Sequence, residues 1–112
     1  MAEKTCLTQY ATKGERRMAR LIVAEILSRG GVISVNDGAE WPVRGSVSPV
    51  EILGALCSTD ADTLHWANPT GARVGWLWLV WGNADDGSEL IADYSANDET
   101  EAVYRAICPN PE

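Results

Sequence analysis

Several residue types are scarce or absent in this chain, and each absence excludes a class of function. The 112 residues include no Phe, one His and three Cys. Zinc sites usually place two ligands close together in the sequence, whereas Cys6, Cys57 and Cys108 are far apart. No apolar run approaches the roughly 20 residues that a membrane-spanning helix needs, and the amino-terminal segment lacks the apolar core of a secretory signal. We therefore expect no metal, no other cofactor and no membrane segment, with free thiols in a reducing cytoplasm.

Motifs for nucleotide binding and covalent catalysis are also missing. No glycine-rich phosphate loop or dinucleotide motif occurs, and no Ser lies in a nucleophile elbow. Cys57 and His65 are an isolated pair, and the chain changes direction between them. Two carboxylate pairs lie in loops, where Asp commonly makes local turns: Asp60/Asp62 and Asp85/Asp86. We predict that the protein is not an enzyme and has no catalytic residue.

The strongest positive feature is the run 74–81, which contains three of the five Trp. In a strand, alternate side chains point to opposite faces. One face would carry Val74, Trp76, Trp78 and Val80, and the other Gly75, Leu77, Leu79 and Trp81. Because both sets are apolar, this pattern predicts the central strand of a sheet that is covered on both sides.

The remaining segments predict a single α+β domain over residues 1–112, with residues 1–8 flexible. The predicted elements are a helix over 9–29, a hairpin of strands 32–35 and 41–44, a helix over 49–57, strands over 63–67, 73–82 and 89–94, and a final helix opened by a capping box over 98–101 with Asp98 as its cap. The order is α-β-β-α-β-β-β-α, with a hairpin and a three-stranded antiparallel meander packed by helices. We expect Val50, Leu53 and either Leu56 or Cys57 to form the buried side of the middle helix.

Acidic residues are concentrated in the second part of the chain. The net charge is −7, made up of +2 over residues 1–44 and −9 over residues 45–112. Seven carboxylates flank the last predicted strand and the start of the last helix, and they define the acidic edge: Asp85, Asp86, Glu89, Asp93, Asp98, Glu99 and Glu101. Such a surface can simply favour solubility, or it can bind a positively charged groove on a partner.

Basic residues line one side of the predicted first helix. This basic face consists of Lys13, Arg16, Arg17 and Arg20, opposite the apolar side that carries Met18, Ala19, Ile22 and Ile26. Four cations on one helix face could contact phosphates. Nucleic-acid-binding domains are usually basic overall, however, and this chain has a pI of about 4.6. We therefore expect no direct nucleic-acid binding and keep the basic face as an alternative binding surface.

Parts of the chain resemble small acidic proteins encoded by phages and prophages. The resemblance covers residues 15–105 and includes the run Ile33–Trp41, Ser58-Thr59-Asp60 before a strand, and Gly82-Asn83 leading to Ile91-Ala92-Asp93-Tyr94. It implies a small accessory protein in the cytoplasm of a host bacterium. Compact acidic phage proteins include inhibitors of host defence such as anti-CRISPR proteins.

Three functions follow from these observations. The first is an accessory protein that binds and inhibits a host protein complex, such as a nucleic-acid-handling or CRISPR-type defence complex, through the acidic edge. The second is a nucleic-acid or regulatory binding module that uses the basic face. The third is a small-ligand protein or enzyme with a polar pocket lined by His65 or clustered Asp. A homodimer through the Trp41–Arg44 strand is also open, unless Pro42 prevents the pairing.

Overall fold

The computed structural model describes residues 5–82 and 85–107. The helices and strands are α1 (Cys6–Tyr10), α2 (Lys13–Ser28), β1 (Val32–Asn36), β2 (Val43–Ser46), α3 (Pro49–Gly54), β3 (Ala61–Ala67), β4 (Arg73–Val80), β5 (Ile91–Tyr94) and α4 (Asp98–Ile107). The α+β class and the predicted order are confirmed, and the first helix consists of two pieces. Within the two described ranges, no helix has the length and apolar character needed to cross a membrane.

The five strands form one antiparallel sheet in the order β2-β1-β3-β4-β5. The predicted hairpin and the predicted meander join through the pairing of β1 with β3, in which Ile33 lies opposite Trp66 and Val35 opposite Leu64. Strand β4 pairs with β3 along its length, with Leu64 opposite Leu77. The tryptophan-rich strand is thus internal to the sheet, and β2 and β5 are the edges.

All the helices pack against one face of this sheet. Helix α2 contacts β1, α3 contacts β1 and β2, and α4 contacts both α2 and β4. The sheet residues that face the helices are Ile33, Val35, Val43, Leu64, Trp66, Leu77 and Leu79, all buried. Within residues 5–82 and 85–107, no helix covers the other face, and its Trp78 is 44% exposed. The prediction of a sheet covered on both sides is therefore wrong, because the short helices account for only one layer.

A capping box divides the predicted first helix. Thr12 is the N-cap of α2, and its hydroxyl accepts a hydrogen bond from the Glu15 N–H while Glu15 Oε1 accepts one from the Thr12 N–H. Ala11 and Thr12 are extended, so the continuous helix predicted from residue 9 is wrong at this point. Helix α1 begins at Cys6 and buries Leu7. The predicted flexibility of residues 1–4 falls outside the described residues.

Two details of the later helices also differ from the prediction. Val50 is 77% exposed and Leu53 is only partly buried, so that part of the prediction is wrong, whereas Leu56 and Cys57 are buried as expected, together with Ile52. Helix α4 is capped by Asn97, whose side-chain oxygen accepts a hydrogen bond from the Thr100 N–H. The predicted cap one residue later, at Asp98, is wrong, because the Asn97 carbonyl already accepts the first helical hydrogen bond, from the Glu101 N–H.

Candidate functional site

The face of the sheet that no helix covers, called the open face below, carries a row of four rings. Trp76 lies opposite His65 across the β3–β4 pair, and Trp78 lies opposite Thr63 one step along. Trp41, from the loop before β2, completes the row, with its ring centroid 5.0 Å from that of His65 and the planes at 51°. Trp78 is the most exposed of the four, and the others are half-buried. Aromatic side chains aligned on an uncovered sheet face are typical of a binding surface rather than of a core.

One end of this row borders a cleft of about 360 Å³ between the β1–β2 hairpin and the β3–β4 turn. Trp41, His65 and Arg73 contribute side chains to it. The turn is held by Asn68, whose side-chain oxygen accepts hydrogen bonds from the backbone N–H groups of Thr70 and Ala72. This turn and an irregularity in the ladder beside Ala67 place Arg73 on the open face. The cleft is therefore formed by strand residues of β1 and β3 together with the Trp41 loop and the β3–β4 turn.

One guanidinium group, that of Arg73, lines the cleft, and a second, that of Arg44, lies beside its Trp41 wall. Arg44 lies 5.8 Å from the centre of the Trp41 ring, within reach of a cation–π interaction. Neither Arg44 nor Arg73 forms an ion pair with a carboxylate in the described part of the chain. Burial lowers the pKa of His65, and the positive charge of Arg73 lowers it further. The imidazole is therefore uncharged at neutral pH, and the two arginines supply the positive charge.

The cleft does not have the composition of an active site. Among the described residues no carboxylate lines it, so a catalytic triad is not formed within the cleft; Asp93 shares a second depression of the open face with His65. Cys57 lies on the helix side of the sheet and His65 on the open face, so the two do not form a pair. Over residues 5–82 and 85–107, no group of His, Cys, Asp or Glu is arranged to hold a metal ion.

The residues of the acidic edge are distributed around β5. Asp93 lies opposite Trp78 and faces the open face. The loop before β5 packs on the start of α2 through a hydrogen bond from the Gly14 N–H to the Asp85 carbonyl. Hydrogen bonds from Ser88 hold the pKa of Asp86 below its ordinary value. At the other end of β5, three carboxylates belong to the first turn of α4: Asp98, Glu99 and Glu101. The predicted set therefore surrounds an edge strand and is not one compact cluster.

The basic face lies in the helical layer, away from the open face. Lys13, Arg17 and Arg20 are exposed. Arg16 is partly buried and donates a hydrogen bond to the Ala11 carbonyl at 2.8 Å. With Arg20, it lines a groove between α1, α2 and α3. One of the four predicted cations therefore helps to hold the α1–α2 junction together.

Two buried carboxylates were not predicted from the sequence. Glu15 is 0% exposed, and its Oε2 accepts a hydrogen bond from the Gly82 N–H at 2.6 Å. Asp62 is 1% exposed, and its Oδ2 accepts hydrogen bonds from the Cys57 N–H and the Trp81 indole N–H, both at 2.8 Å. Both carboxylates join loops to the core, and charged residues are rarely buried without such partners. Their roles are structural.

Cys57 completes this buried region. Burial raises the pKa of its thiol to about 11, and the negative charges of Asp62 and Glu15 add to the effect. A thiol with such a pKa is almost entirely protonated at neutral pH, and the thiolate is the nucleophilic form. Cys57 is therefore an inert packing residue.

Comparison with protein-family models, curated proteins and solved structures finds no match for this chain. Its functional assignment therefore depends on the surface geometry described above.

Proposed function

We propose that this protein is a protein-binding module that docks a partner protein on the open face of its sheet. The observation that supports this proposal is the row of Trp41, His65, Trp76 and Trp78 on a face that no helix covers. Large apolar patches on a monomer surface commonly mark interaction sites. Trp and Arg are also the residue types that most often dominate protein–protein binding energy.

The charge distribution favours a protein partner over a nucleic acid. Single-stranded nucleic acids also stack on aromatic rings, but their binding grooves follow the backbone with many cations. The open face carries Arg44 and Arg73, together with the acidic Asp93, on a chain of net charge −7. A polyanion would be repelled by this protein as a whole, whereas a mixed protein surface could match both signs.

The acidic edge has a supporting role in this proposal. Asp93 faces the open face, where it would form part of the polar rim of the interface, while the other carboxylates lie at the two ends of β5. Rim charges mainly change the rate of association and its dependence on salt. Inhibition of a bacterial nucleic-acid-handling or defence complex remains our hypothesis for the biological effect of binding, and it comes from the resemblance to phage-encoded proteins.

A capture experiment with three matched variants tests this proposal. The immobilised protein is incubated with bacterial lysate, and the retained proteins are quantified by mass spectrometry. The first variant combines Trp76→Thr with Trp78→Thr, because Thr suits a strand. The second replaces three acidic-edge residues with Lys, and the third replaces three basic-face residues with Glu: Asp85, Asp86 and Glu89 in the second, and Arg16, Arg17 and Arg20 in the third. Circular dichroism and thermal unfolding establish that each variant is folded.

The proposal predicts that the tryptophan variant alone loses a specific partner. Hot-spot substitutions cost about 2 kcal/mol or more, which corresponds to roughly a thirtyfold loss of affinity. Loss of the partner by the acidic variant, with retention by the tryptophan variant, would instead identify the acidic edge as the binding surface. Tryptophan-dependent binding of a single-stranded oligonucleotide would contradict a protein-specific role.

A further inference from the structure

The cleft at the end of the open face combines flat rings with unpaired positive charge. Trp41 and His65 form a tilted pair of rings, and Arg44 and Arg73 stand beside them. A volume of about 360 Å³ is near the lower end of the range of about 300–1,000 Å³ for ligand pockets. The cleft therefore has room for a ring-bearing group.

The setting of these two arginines differs from that of the arginines that form ion pairs within helices. Arg29 and Arg105 pair with Glu25 and Glu101 within their own helices. Arg44 and Arg73, in contrast, have no carboxylate partner among the described residues and flank an apolar concavity. A guanidinium group at such a position favours a carboxylate that can accept two hydrogen bonds.

The aromatic walls set the second requirement for an occupant. Trp41 and His65 already contact each other, with ring centroids 5.0 Å apart, so a ring that enters the cleft would pack beside this pair, edge-to-face or offset, the arrangements that aromatic pairs prefer. The uncharged His65 adds apolar area without repelling a cation or attracting an anion. A bound group should therefore have a flat apolar part against the rings and a negative part against the arginines.

We propose that this cleft is the anchor pocket of the interface, and that it receives an aromatic residue of the partner protein adjoining an Asp or Glu. This inference rests on the proposed function, because it takes the group that fills the cleft to be a segment of the partner protein. The aromatic side chain fills the concavity, and the neighbouring carboxylate contacts Arg73 and Arg44. The remaining rings, Trp76 and Trp78, then contact the chain that follows the anchor.

Small probes can test the chemistry of the pocket without the partner. The full chain, labelled with ¹⁵N, is titrated with phenylacetate, phenethylamine and acetate, and the Trp41 indole and Gly71 amide resonances are followed by NMR. We expect saturable shifts with phenylacetate and binding about tenfold weaker with phenethylamine, equivalent to about 1.4 kcal/mol. Acetate, which lacks a ring, should produce much smaller shifts at equal concentration.

A matched pair of variants identifies the source of the selectivity. Combining Arg44→Gln with Arg73→Gln should abolish the preference for phenylacetate, because the cation that lines the cleft and the one beside its Trp41 wall are both removed. Combining Arg17→Gln with Arg20→Gln removes two cations from the helical layer and should leave the preference unchanged. Equal binding of phenylacetate and phenethylamine, or tighter binding of adenosine monophosphate than of phenylacetate, would overturn the proposed anchor.

The probe and capture experiments fail in different ways. If phenylacetate does not bind while the tryptophan variant still loses its partner, the acidic anchor is wrong and the open face remains the binding surface. If phenylacetate binds selectively while the tryptophan variant keeps its partner, the pocket assignment stands and the proposed docking face is wrong.

Discussion

The buried carboxylate of Asp62 gives the sharpest test of the folded structure. Asp62→Ala removes the acceptor of two buried donors, the Cys57 N–H and the Trp81 indole N–H, each at 2.8 Å. A buried donor without a partner costs about 1–3 kcal/mol, so two such donors cost about 2–6 kcal/mol. Relief of the buried charge offsets part of this cost, because Oδ1 has no hydrogen-bond partner in the structure. We expect a net loss of about 2–4 kcal/mol in the free energy of unfolding.

Asp62→Asn is the matched control, because its amide oxygen can still accept both hydrogen bonds. We expect this variant to lose less than about 1.5 kcal/mol, the value of a typical hydrogen bond. Urea unfolding monitored by tryptophan fluorescence measures both variants. If Asp62→Ala were no less stable than Asp62→Asn, the two hydrogen bonds would not stabilise the fold as described.

The pH dependence provides an independent check on Asp62. Burial raises its pKa in the folded protein, while the hydrogen bonds from Cys57 and Trp81 oppose the rise. The unfolded chain has a pKa near about 3.9. The folded state therefore holds its proton more tightly, and this contribution to stability is fully present below that unfolded value. It is lost as the pH rises through the raised folded pKa. The free energy of unfolding of the wild type, minus that of Asp62→Asn, should therefore fall as the pH rises across that window. A flat difference would refute the assignment.

Three further predictions concern packing and reactivity. Gly75→Ala should lower the free energy of unfolding by about 3 kcal/mol, because the added Cβ would overlap the Thr100 hydroxyl. Gly54→Ala has open space around it and should instead raise the free energy of unfolding by about 0.5–1 kcal/mol. Denaturant unfolding measures both variants, and equal effects would contradict the close packing of Gly75 against Thr100. Because its pKa is about 11, Cys57 should resist iodoacetamide at pH 8 in the native protein and react when the protein is unfolded. Peptide mass spectrometry measures the labelling, and rapid labelling of the native protein would contradict the burial of Cys57. Trp78→Thr should change stability by less than about 1 kcal/mol, and a larger loss in thermal unfolding would mean that the open face is part of the core.

Strand periodicity and turn chemistry made much of the fold predictable. Alternation in β3 and β4, with the turn residues between them, identified the meander and its antiparallel pairing. The Asn36-Asp37-Gly38 turn forms as expected, with the Asn36 side chain accepting a hydrogen bond from the Gly38 N–H. These signals depend on neighbouring residues, so they can be recognised without knowledge of tertiary contacts.

Periodicity could not show which faces are covered. It assigned Trp76 and Trp78 to one face of β4 and Leu77 and Leu79 to the other, as observed. Apolar character on both faces then predicted two covering layers, but one of the two apolar faces is the candidate binding surface. A signal was present in the residue types, because the open face carries Trp, which is common at interfaces, while the buried face carries Leu.

The buried polar residues show a second limit of sequence reasoning. The spacing of Thr12 and Glu15 matches a capping box, and that signal could have placed the boundary between α1 and α2. The burial of Glu15 depends on the distant Gly82 N–H, and Asp62 depends on Trp81 in the same way. Such pairings over 67 and 19 residues of chain cannot be derived from local pattern alone.

The five indole N–H groups allow the most direct test of the binding surface. An ¹⁵N spectrum is recorded with and without the partner protein that the wild-type chain captures. The account predicts that the indole signals of Trp41, Trp76 and Trp78 shift or broaden, while that of Trp81, which is buried and lies away from the cleft, stays unchanged. Unperturbed signals from the three open-face indoles, with changes confined to α2 or to residues 85–101, would contradict it.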